Sequence, residues 1–341
     1  MNFIKKLDRY IAIRLQLLLP LKDLKQRPPL LFLGGMTRSG NHLLHSLLDG
    51  HKSISSIPDE DYFLRTNVSS ILNQFLLFYY LRFGTTEQKI DFFLKQNKRN
   101  NWQRISNESI RGHHEVDFDI IDYKKLNISL RNLAGKQHKN ICCVYQDYID
   151  CVIGAVPAVN NLSDNNNNCW RLYFTANADF LVRPIMSWDK GNKVIVPVRD
   201  PLQRFASHKE WEKSDFICSQ RNLSAWKAVH RSYSLFKKRY NSRILYVDYT
   251  KLIDNTENAM RRISKFLGTE YDSILSYPTV LGKPISGNTS FSKDPDKIGR
   301  VYKDSLHRYK DILSRKEREI IKAELEPLYL EFLNENCQTN G

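Results

Sequence analysis

A chain of 341 residues with 41% hydrophobic and 26% charged residues has an ordinary globular composition and is long enough to bury a sizeable core. Its most apolar early stretch, residues 11–21, contains Arg14 and Pro20 and is too short for a membrane-spanning helix, which needs about 20 apolar residues. The formal net charge of +15 favours an anionic partner, but the basic residues are scattered and no nucleic-acid-binding motif is visible. A nucleic acid, an anionic membrane surface and a small polyanionic substrate would all fit this charge, so it indicates anion binding and does not choose between them.

Residues 1–27 form a basic leader before a predicted strand. No small-x-small cleavage site follows its apolar stretch, so we do not expect a secretory signal. Residues 3–19 could form a short interfacial helix that contacts a membrane surface weakly. The six cysteines include no C-x-x-C pair, and we expect reduced thiols in a cytoplasmic protein.

Predicted strands alternate with predicted helices along much of the chain. The sequence predicts strands at residues 30–33, 171–174, 194–198 and 244–247. It predicts helices from Gly40 through the leucines at 43–48, from about residue 202, over 256–267 with Gly268 at the C-terminal cap, and over 315–333. This alternation predicts a three-layer α/β fold, in which helices flank a mainly parallel sheet.

The stretch from 65 to 165 is less regular. Aromatic segments at 71–83 and 90–94 predict helical pieces, which alternate with polar loops, and the polar run at 163–168 is typical of a surface loop.

The hexapeptide Gly35-Met36-Thr37-Arg38-Ser39-Gly40 lies between a predicted strand and a predicted helix and has the glycine spacing of a phosphate-binding loop. Glycines permit positive φ and close backbone approach, so N–H groups can surround an anion at the helix N-terminus. A nucleoside triphosphatase needs Lys and then Ser or Thr after the second glycine, for phosphate and magnesium. Asn41 and His42 stand there instead, which predicts a loop that holds phosphate without a metal.

Arg199-Asp200-Pro201 closes the predicted strand at 194–198, and Ser207 follows eight residues after Arg199. Pro201 suits the first position of a helix, which would place Ser207 about two turns into that helix. A guanidinium and a hydroxyl could then converge on one phosphate group. The alternative is an ordinary strand-to-helix turn.

Four segments, in order over residues 30–330, resemble the sulfotransferase family that uses 3′-phosphoadenosine 5′-phosphosulfate (PAPS). Residues 31–40 and the following helix look like its 5′-phosphosulfate loop, although Asn41 and His42 stand where the family has hydroxyl side chains. Residues 199–207 resemble its 3′-phosphate site, and 246–249 and 287–300 resemble two later segments. The resemblance implies a P-loop NTPase-like sulfotransferase fold and transfer of a sulfuryl group from PAPS to an acceptor hydroxyl, with release of adenosine 3′,5′-bisphosphate.

The resemblance also implies which residues bind the donor. They are Gly35, Thr37, Arg38, Ser39, Gly40, Asn41, His42, Arg199, Ser207, Tyr246, Gly299 and Arg300. Arg38 is expected to stabilise the leaving phosphate as well. PAPS is the expected co-substrate, and no metal is expected.

For the general base, Glu60 is the first candidate, because residues 58–63 resemble the early acidic segment of the carbohydrate and tyrosyl branch. Asp59 is a close second. His113 and His114 are rivals, since some branches of the family use a histidine base.

The same branch suggests a hydroxylated acceptor, with a carbohydrate as the first expectation. We expect residues 28–334 to form a single domain, with 65–165 as an insertion on the acceptor side and 335–341 as a tail. Two other functions stay open. A P-loop nucleotide kinase would need the missing Walker lysine, and a non-enzymatic protein that binds nucleic acid or membranes would use the +15 charge.

Overall fold

The computed structural model of the chain describes most of the predicted domain. The described residues are 27–57, 60–61, 63–64, 76–77, 79–80, 82–99, 122–136, 138, 141–156, 170–175, 179–213, 218–285 and 298–336.

A five-stranded parallel sheet, with strand order β2-β3-β1-β4-β5, forms the centre of the fold. Its strands are β1 Leu30–Leu33, β2 Ile54–Ser56, β3 Trp170–Phe174, β4 Lys193–Val198 and β5 Ile244–Asp248. Every residue of β1, β3 and β5 is buried, as expected for parallel strands that are covered by helices on both faces. The four predicted strands are confirmed, and β2 is an addition that the sequence did not predict.

Helices cover the sheet on both sides. They are α1 Asn41–Leu48, α2 Thr86–Arg99, α3 Tyr123–Gly135, α4 Ile141–Gly154, α5 Val182–Trp188, α6 Pro201–Glu212, α7 Gln220–Tyr240, α8 Tyr249–Asp254, α9 Thr256–Leu267, α10 Tyr309–Ile312 and α11 Arg315–Asn336. A small antiparallel hairpin, β6 Thr279–Val280 and β7 Lys283–Pro284, lies outside the main sheet.

Alternate residues of each strand enter two separate cores, because successive side chains of a strand point to opposite faces. In β1, Phe32 belongs to one core and Leu33 to the other. In β5, Tyr246 and Val247 are divided in the same way. Since each face has its own core, the chain forms three layers, and the predicted α/β architecture is confirmed.

Two helices begin and end at the residues that local chemistry predicts. Helix α6 starts with Pro201 at its first position, and the Asp200 side chain accepts a hydrogen bond from the Gln203 amide. Helix α9 ends at Gly268, which adopts the left-handed conformation with φ of 75° that glycine accommodates without strain.

The described part of the stretch 65–165 includes the helices α2, α3 and α4. The predicted piece at 90–94 lies inside α2, and the described part of the piece at 71–83 is helical. The leader up to residue 26, the loop at 163–168 and the tail from 337 lie outside the described residues, so their predictions stay untested. Within the part of the chain that the structure describes, no helix is long and apolar enough to cross a membrane.

Candidate active site

The candidate site lies where three neighbouring strands end. The predicted phosphate-binding loop follows β1, Arg199 follows β4, and Tyr249 follows β5. Carboxyl ends of parallel strands meet at one edge of a sheet, which is the usual ligand-binding edge of α/β folds. The Gly34 amide donates to the Ile195 carbonyl at 3.0 Å, which fixes the start of the loop against β4.

Positive backbone φ angles shape this loop. Gly40 has φ of 103° at the start of α1, and Arg38 has φ of 69° although it carries a side chain. The left-handed conformation costs a non-glycine residue about 1–2 kcal/mol. Such strain is concentrated at functional sites, where it is offset by the surrounding structure.

Asn41 closes the base of the loop from inside. It is 4% exposed, and its Nδ2 donates to the carbonyls of Met36 at 3.1 Å and Gly35 at 3.4 Å. A Cβ on Gly35 would lie 2.5 Å from Asn41 Oδ1, so a side chain there would have to displace the Asn41 amide. The side chain of Asn41 thus stabilises the loop through Nδ2, and its direct contact with the donor stays a prediction.

Tyr249 holds the loop and Arg199 together. A Cβ on Gly40 would lie only 2.4 Å from Tyr249 Cδ2, so the ring packs directly against this glycine. The Arg199 guanidinium carbon lies 4.4 Å from the centre of the same ring, which is a cation–π distance.

Three arginines converge on the loop and on Ser207. Arg38 Nε donates to Ser207 Oγ at 2.9 Å. Arg199 Nη1 donates to the Arg38 carbonyl at 3.2 Å, and Arg204 Nε donates to the Thr37 carbonyl at 3.3 Å. The structure therefore brings together the two predicted phosphate-binding segments at the hydrogen bond between Arg38 and Ser207, which are 169 residues apart in the sequence.

The arginine cluster has unused donors in its interior. Arg199 Nε and Arg204 Nη1 are buried and have no hydrogen-bond partner among the described residues. Burial lowers the pKa of Arg204 to about 10. Burial also lowers the pKa of His208, and the positive charge of the nearby Arg204 adds to this effect. Buried cations are costly unless they are paired, so this arrangement fits a bound anion with several acceptor oxygens.

Trp211 borders the same cluster from one turn beyond Ser207 on α6. Its side chain is 51% exposed, and the Arg38 guanidinium carbon lies 5.3 Å from its ring centre. An exposed tryptophan beside a buried cation site provides a flat apolar surface at the site's border.

On the other side of α1, Glu60 faces His42. Glu60 Oε2 lies 3.7 Å from His42 Nε2, and the two side chains differ sharply in exposure, at 3% and 42%. The His42 ring also contacts Phe174 of β3 edge to face, with ring centres 4.8 Å apart. Strand β3 holds the Glu60 segment in place, because the amide of the next residue, Asp61, donates to the Phe174 carbonyl at 3.0 Å.

Asp61, the next residue, is fully buried and holds this segment in place. Its carboxylate accepts hydrogen bonds from the Tyr173 hydroxyl at 2.6 Å, the Tyr148 hydroxyl at 2.9 Å and the Phe63 amide at 2.6 Å. Burial is the main cause that raises the pKa of Asp61, to about 6, although these hydrogen bonds oppose the rise.

Tyr246 requires a correction. It is fully buried in the core on the opposite face of β5 from Val247, and its hydroxyl donates to the Tyr233 carbonyl. It is therefore a core residue, and Tyr249, three positions on, is the tyrosine beside the loop.

The remaining predicted residues are placed less directly. Gly299 donates its amide to the Ile285 carbonyl after the β6–β7 hairpin, and Arg300 is exposed there, so both stay predictions as donor contacts. Asp59, His113 and His114 lie outside the described residues. Within the described ranges, no three His, Cys, Asp or Glu side chains are grouped to hold a metal ion.

Sequence reasoning missed Arg204, Tyr249 and Trp211. The spacing of α6 carried part of the signal, because residues 204, 207 and 211 recur at three and four positions and share one helix face. Nothing local distinguished Tyr249 from Tyr246, since both stand near the end of the same strand.

Comparison with known proteins gives one family match. Residues 191–273 match the profile described as the sulfotransferase family, and this segment contains Arg199, Arg204, Ser207 and Tyr249. No curated protein sequence matches the chain.

Several solved structures are similar overall. The sulfotransferase domain of the Synechococcus PCC 7002 olefin synthase has 16% identity and a TM-score of 0.47, over 95% of this chain and 100% of that one. The sulfotransferase from Alicyclobacillus acidocaldarius has 11% identity and a TM-score of 0.44, over 92% and 97%. The sulfotransferase domain from the curacin biosynthetic pathway has 14% identity and a TM-score of 0.43, over 87% and 98%.

Proposed function

We propose that this chain is a sulfotransferase that transfers a sulfuryl group from PAPS to an acceptor hydroxyl and releases adenosine 3′,5′-bisphosphate, in line with the family match over residues 191–273. The buried arginine cluster carries this proposal, because Arg199 Nε and Arg204 Nη1 have no hydrogen-bond partner among the described residues and lie beside the predicted phosphate-binding loop. An anion bound there would offset the cost of burying these cations. A nucleotide with phosphates at both its 3′ and 5′ positions could engage the loop and the arginines together.

Each group has a distinct role in this proposal. The backbone N–H groups at the start of α1 bind the 5′-phosphate, and Arg199 with Ser207 binds the 3′-phosphate. PAPS supplies the activated sulfur–oxygen bond. Arg38 neutralises the charge that develops on the departing phosphate, which is the kind of electrostatic stabilisation that contributes most in group-transfer enzymes.

Proton removal from the acceptor belongs to the Glu60 side of the loop. Glu60 and His42 face each other at 3.7 Å, beside the residues that hold the donor's 5′ end. We expect a hydroxylated acceptor, with carbohydrates as the first class to test, and a cytoplasmic location for the protein.

Thermal unfolding with three nucleotides tests the proposal. Adenosine 3′,5′-bisphosphate should raise the unfolding temperature more than 5′-AMP at equal concentration, and EDTA should leave this effect unchanged. A ligand at a hundred times its Kd stabilises a protein by about 2.7 kcal/mol. Equal shifts from both nucleotides would contradict a 3′-phosphate site.

The same experiment separates the two competing functions. Stabilisation only by ATP with magnesium would support a nucleotide kinase. Salt-sensitive binding of DNA or anionic vesicles, with no nucleotide effect, would support a non-enzymatic role of the +15 charge.

A further inference from the structure

The pair formed by His42 and Glu60 is unusual in how its two members are exposed. Glu60 shows 3% of its side chain and so presents almost no surface to an acceptor hydroxyl. His42 shows 42% and stands on the phosphate-binding loop side, as the second residue of α1. If one of the two contacts the acceptor, exposure favours the histidine.

The orientation of the ring supports the same division of roles. His42 Nε2 is the nitrogen that faces Glu60, and Phe174 packs against the ring edge to face. A neutral imidazole carries one N–H and one basic nitrogen, and a carboxylate beside one nitrogen favours the N–H there. The basic nitrogen of His42 is then Nδ1. At 3.7 Å the contact is an ion-pair distance, and such contacts often tighten when substrates bind.

We propose that His42 is the general base of this sulfotransferase and that Glu60 is the positioning residue that orients its ring. This inference rests on the proposed function. The acceptor oxygen forms a bond to sulfur while the bond from sulfur to the 5′-phosphate oxygen breaks, and that electron pair stays on the phosphate. The acceptor O–H proton moves to His42 Nδ1, and the Glu60 carboxylate stabilises the resulting imidazolium.

The groups around the pair set the controls. Asp61 lies next to Glu60 on the same segment and interacts with it electrostatically. His45, one turn along α1, is buried and its Nε2 lies 2.9 Å from the Ile57 carbonyl. Asp61 anchors the Glu60 segment and is therefore left unchanged, and Glu257→Gln provides a matched loss of one carboxylate on the exposed face of α9.

Nuclear magnetic resonance of the nine labelled histidines tests the pair without any substrate. His42→Gln assigns the resonance. We expect neutral His42 to carry its hydrogen on Nε2, and Glu60→Gln to lower the His42 pKa by about one unit, because the imidazolium loses its carboxylate. Glu257→Gln should leave it unchanged. A hydrogen on Nδ1, or a His42 pKa that does not respond to Glu60→Gln, would overturn the proposal.

Turnover of radiolabelled PAPS, with water as the acceptor, tests the role in chemistry. We expect His42→Gln to lower kcat by about 10²-fold or more and to abolish the acid limb of the pH profile. Glu60→Gln should lower kcat by about tenfold and move the acid limb of the pH profile to lower pH. The double variant should be no slower than His42→Gln alone, since the two residues act as one unit.

The opposite pattern overturns the proposal. If Glu60→Gln is the inactive variant and His42→Gln keeps nearly full kcat, Glu60 itself takes the proton. If the unaltered protein neither binds adenosine 3′,5′-bisphosphate nor turns over PAPS, the proposed function fails, whereas the resonance experiment still decides whether the two side chains are paired.

Discussion

Replacing Arg199 by alanine should remove the preference for a 3′-phosphate. The guanidinium is 8% exposed, stacks on Tyr249 at 4.4 Å and uses Nη1 for the Arg38 carbonyl. Its Nε is buried and has no hydrogen-bond partner within the described part of the chain. The protein thus fixes the plane of the guanidinium and leaves a donor for a ligand.

The size of the effect follows from one charged hydrogen bond. Such a bond is worth about 1.5–3 kcal/mol, which corresponds to roughly 10- to 150-fold in Kd. The binding of adenosine 3′,5′-bisphosphate should weaken by that factor. The binding of 5′-AMP, which lacks the 3′-phosphate, should weaken by about threefold or less. Arg199→Lys should fall between, because one ammonium cannot reproduce the fork that reaches both the loop carbonyl and a phosphate.

Titration calorimetry of both nucleotides measures this selectivity. Arg261→Ala is the matched control, since Arg261 is exposed on α9 and pairs with Glu257 at 2.7 Å. Thermal unfolding of each variant checks that loss of the Arg38 carbonyl contact has not unfolded the loop region. Equal weakening of both nucleotides would refute the reasoning, because Arg199 would then support the loop without contacting the 3′-phosphate.

Four further outcomes are expected. Ser207→Ala should also weaken the binding of adenosine 3′,5′-bisphosphate more than that of 5′-AMP in calorimetry, by up to about tenfold, because a hydroxyl offers one donor. Gly40→Ala should abolish nucleotide stabilisation in thermal unfolding, because its Cβ would lie 2.4 Å from Tyr249 at a φ of 103°. Asp61 has a folded pKa of about 6 against its usual 3.8, so its contribution is present below about pH 3.8 and is lost as pH rises through 6. The free energy of unfolding in urea, measured for the native chain relative to Asp61→Asn, should therefore fall by on the order of 2–3 kcal/mol between pH 4 and 7. A difference that stays constant with pH would contradict this. EDTA should leave PAPS turnover unchanged, because Asn41 and His42 replace the lysine and hydroxyl of a magnesium-nucleotide loop, and a strict magnesium requirement would count against the assignment.

Local chemistry allowed much of this fold to be predicted from the sequence. Buried parallel strands are continuous apolar runs, so β1, β4 and β5 were recognisable, whereas the short Ile54–Ser56 strand contains two serines and was not. The helix starts at Gly40 and Pro201 and the helix end at Gly268 depend on a few neighbouring residues, and all three were predicted.

The sequence by itself, through its resemblance to the sulfotransferase family, also predicted that two segments contact the same donor. Both follow buried strands, and carboxyl ends of parallel strands share one edge of the sheet. The hydrogen bond between Arg38 and Ser207 realises that meeting at 2.9 Å. The chemistry of each segment, an anion-binding turn and an arginine after a strand, needs no knowledge of the rest of the chain.

Only the tertiary structure decided which side chains serve the site. Strand β5 ends in a turn that puts Tyr249 against Gly40 while Tyr246 faces the opposite core, a choice that depends on register. Arg204 is a phosphate-site candidate only because packing buries it with an unused donor, and Glu60 meets His42 only because its segment continues along β3. Burial and pairing arise from contacts between segments far apart in the chain, and a local pattern does not contain them.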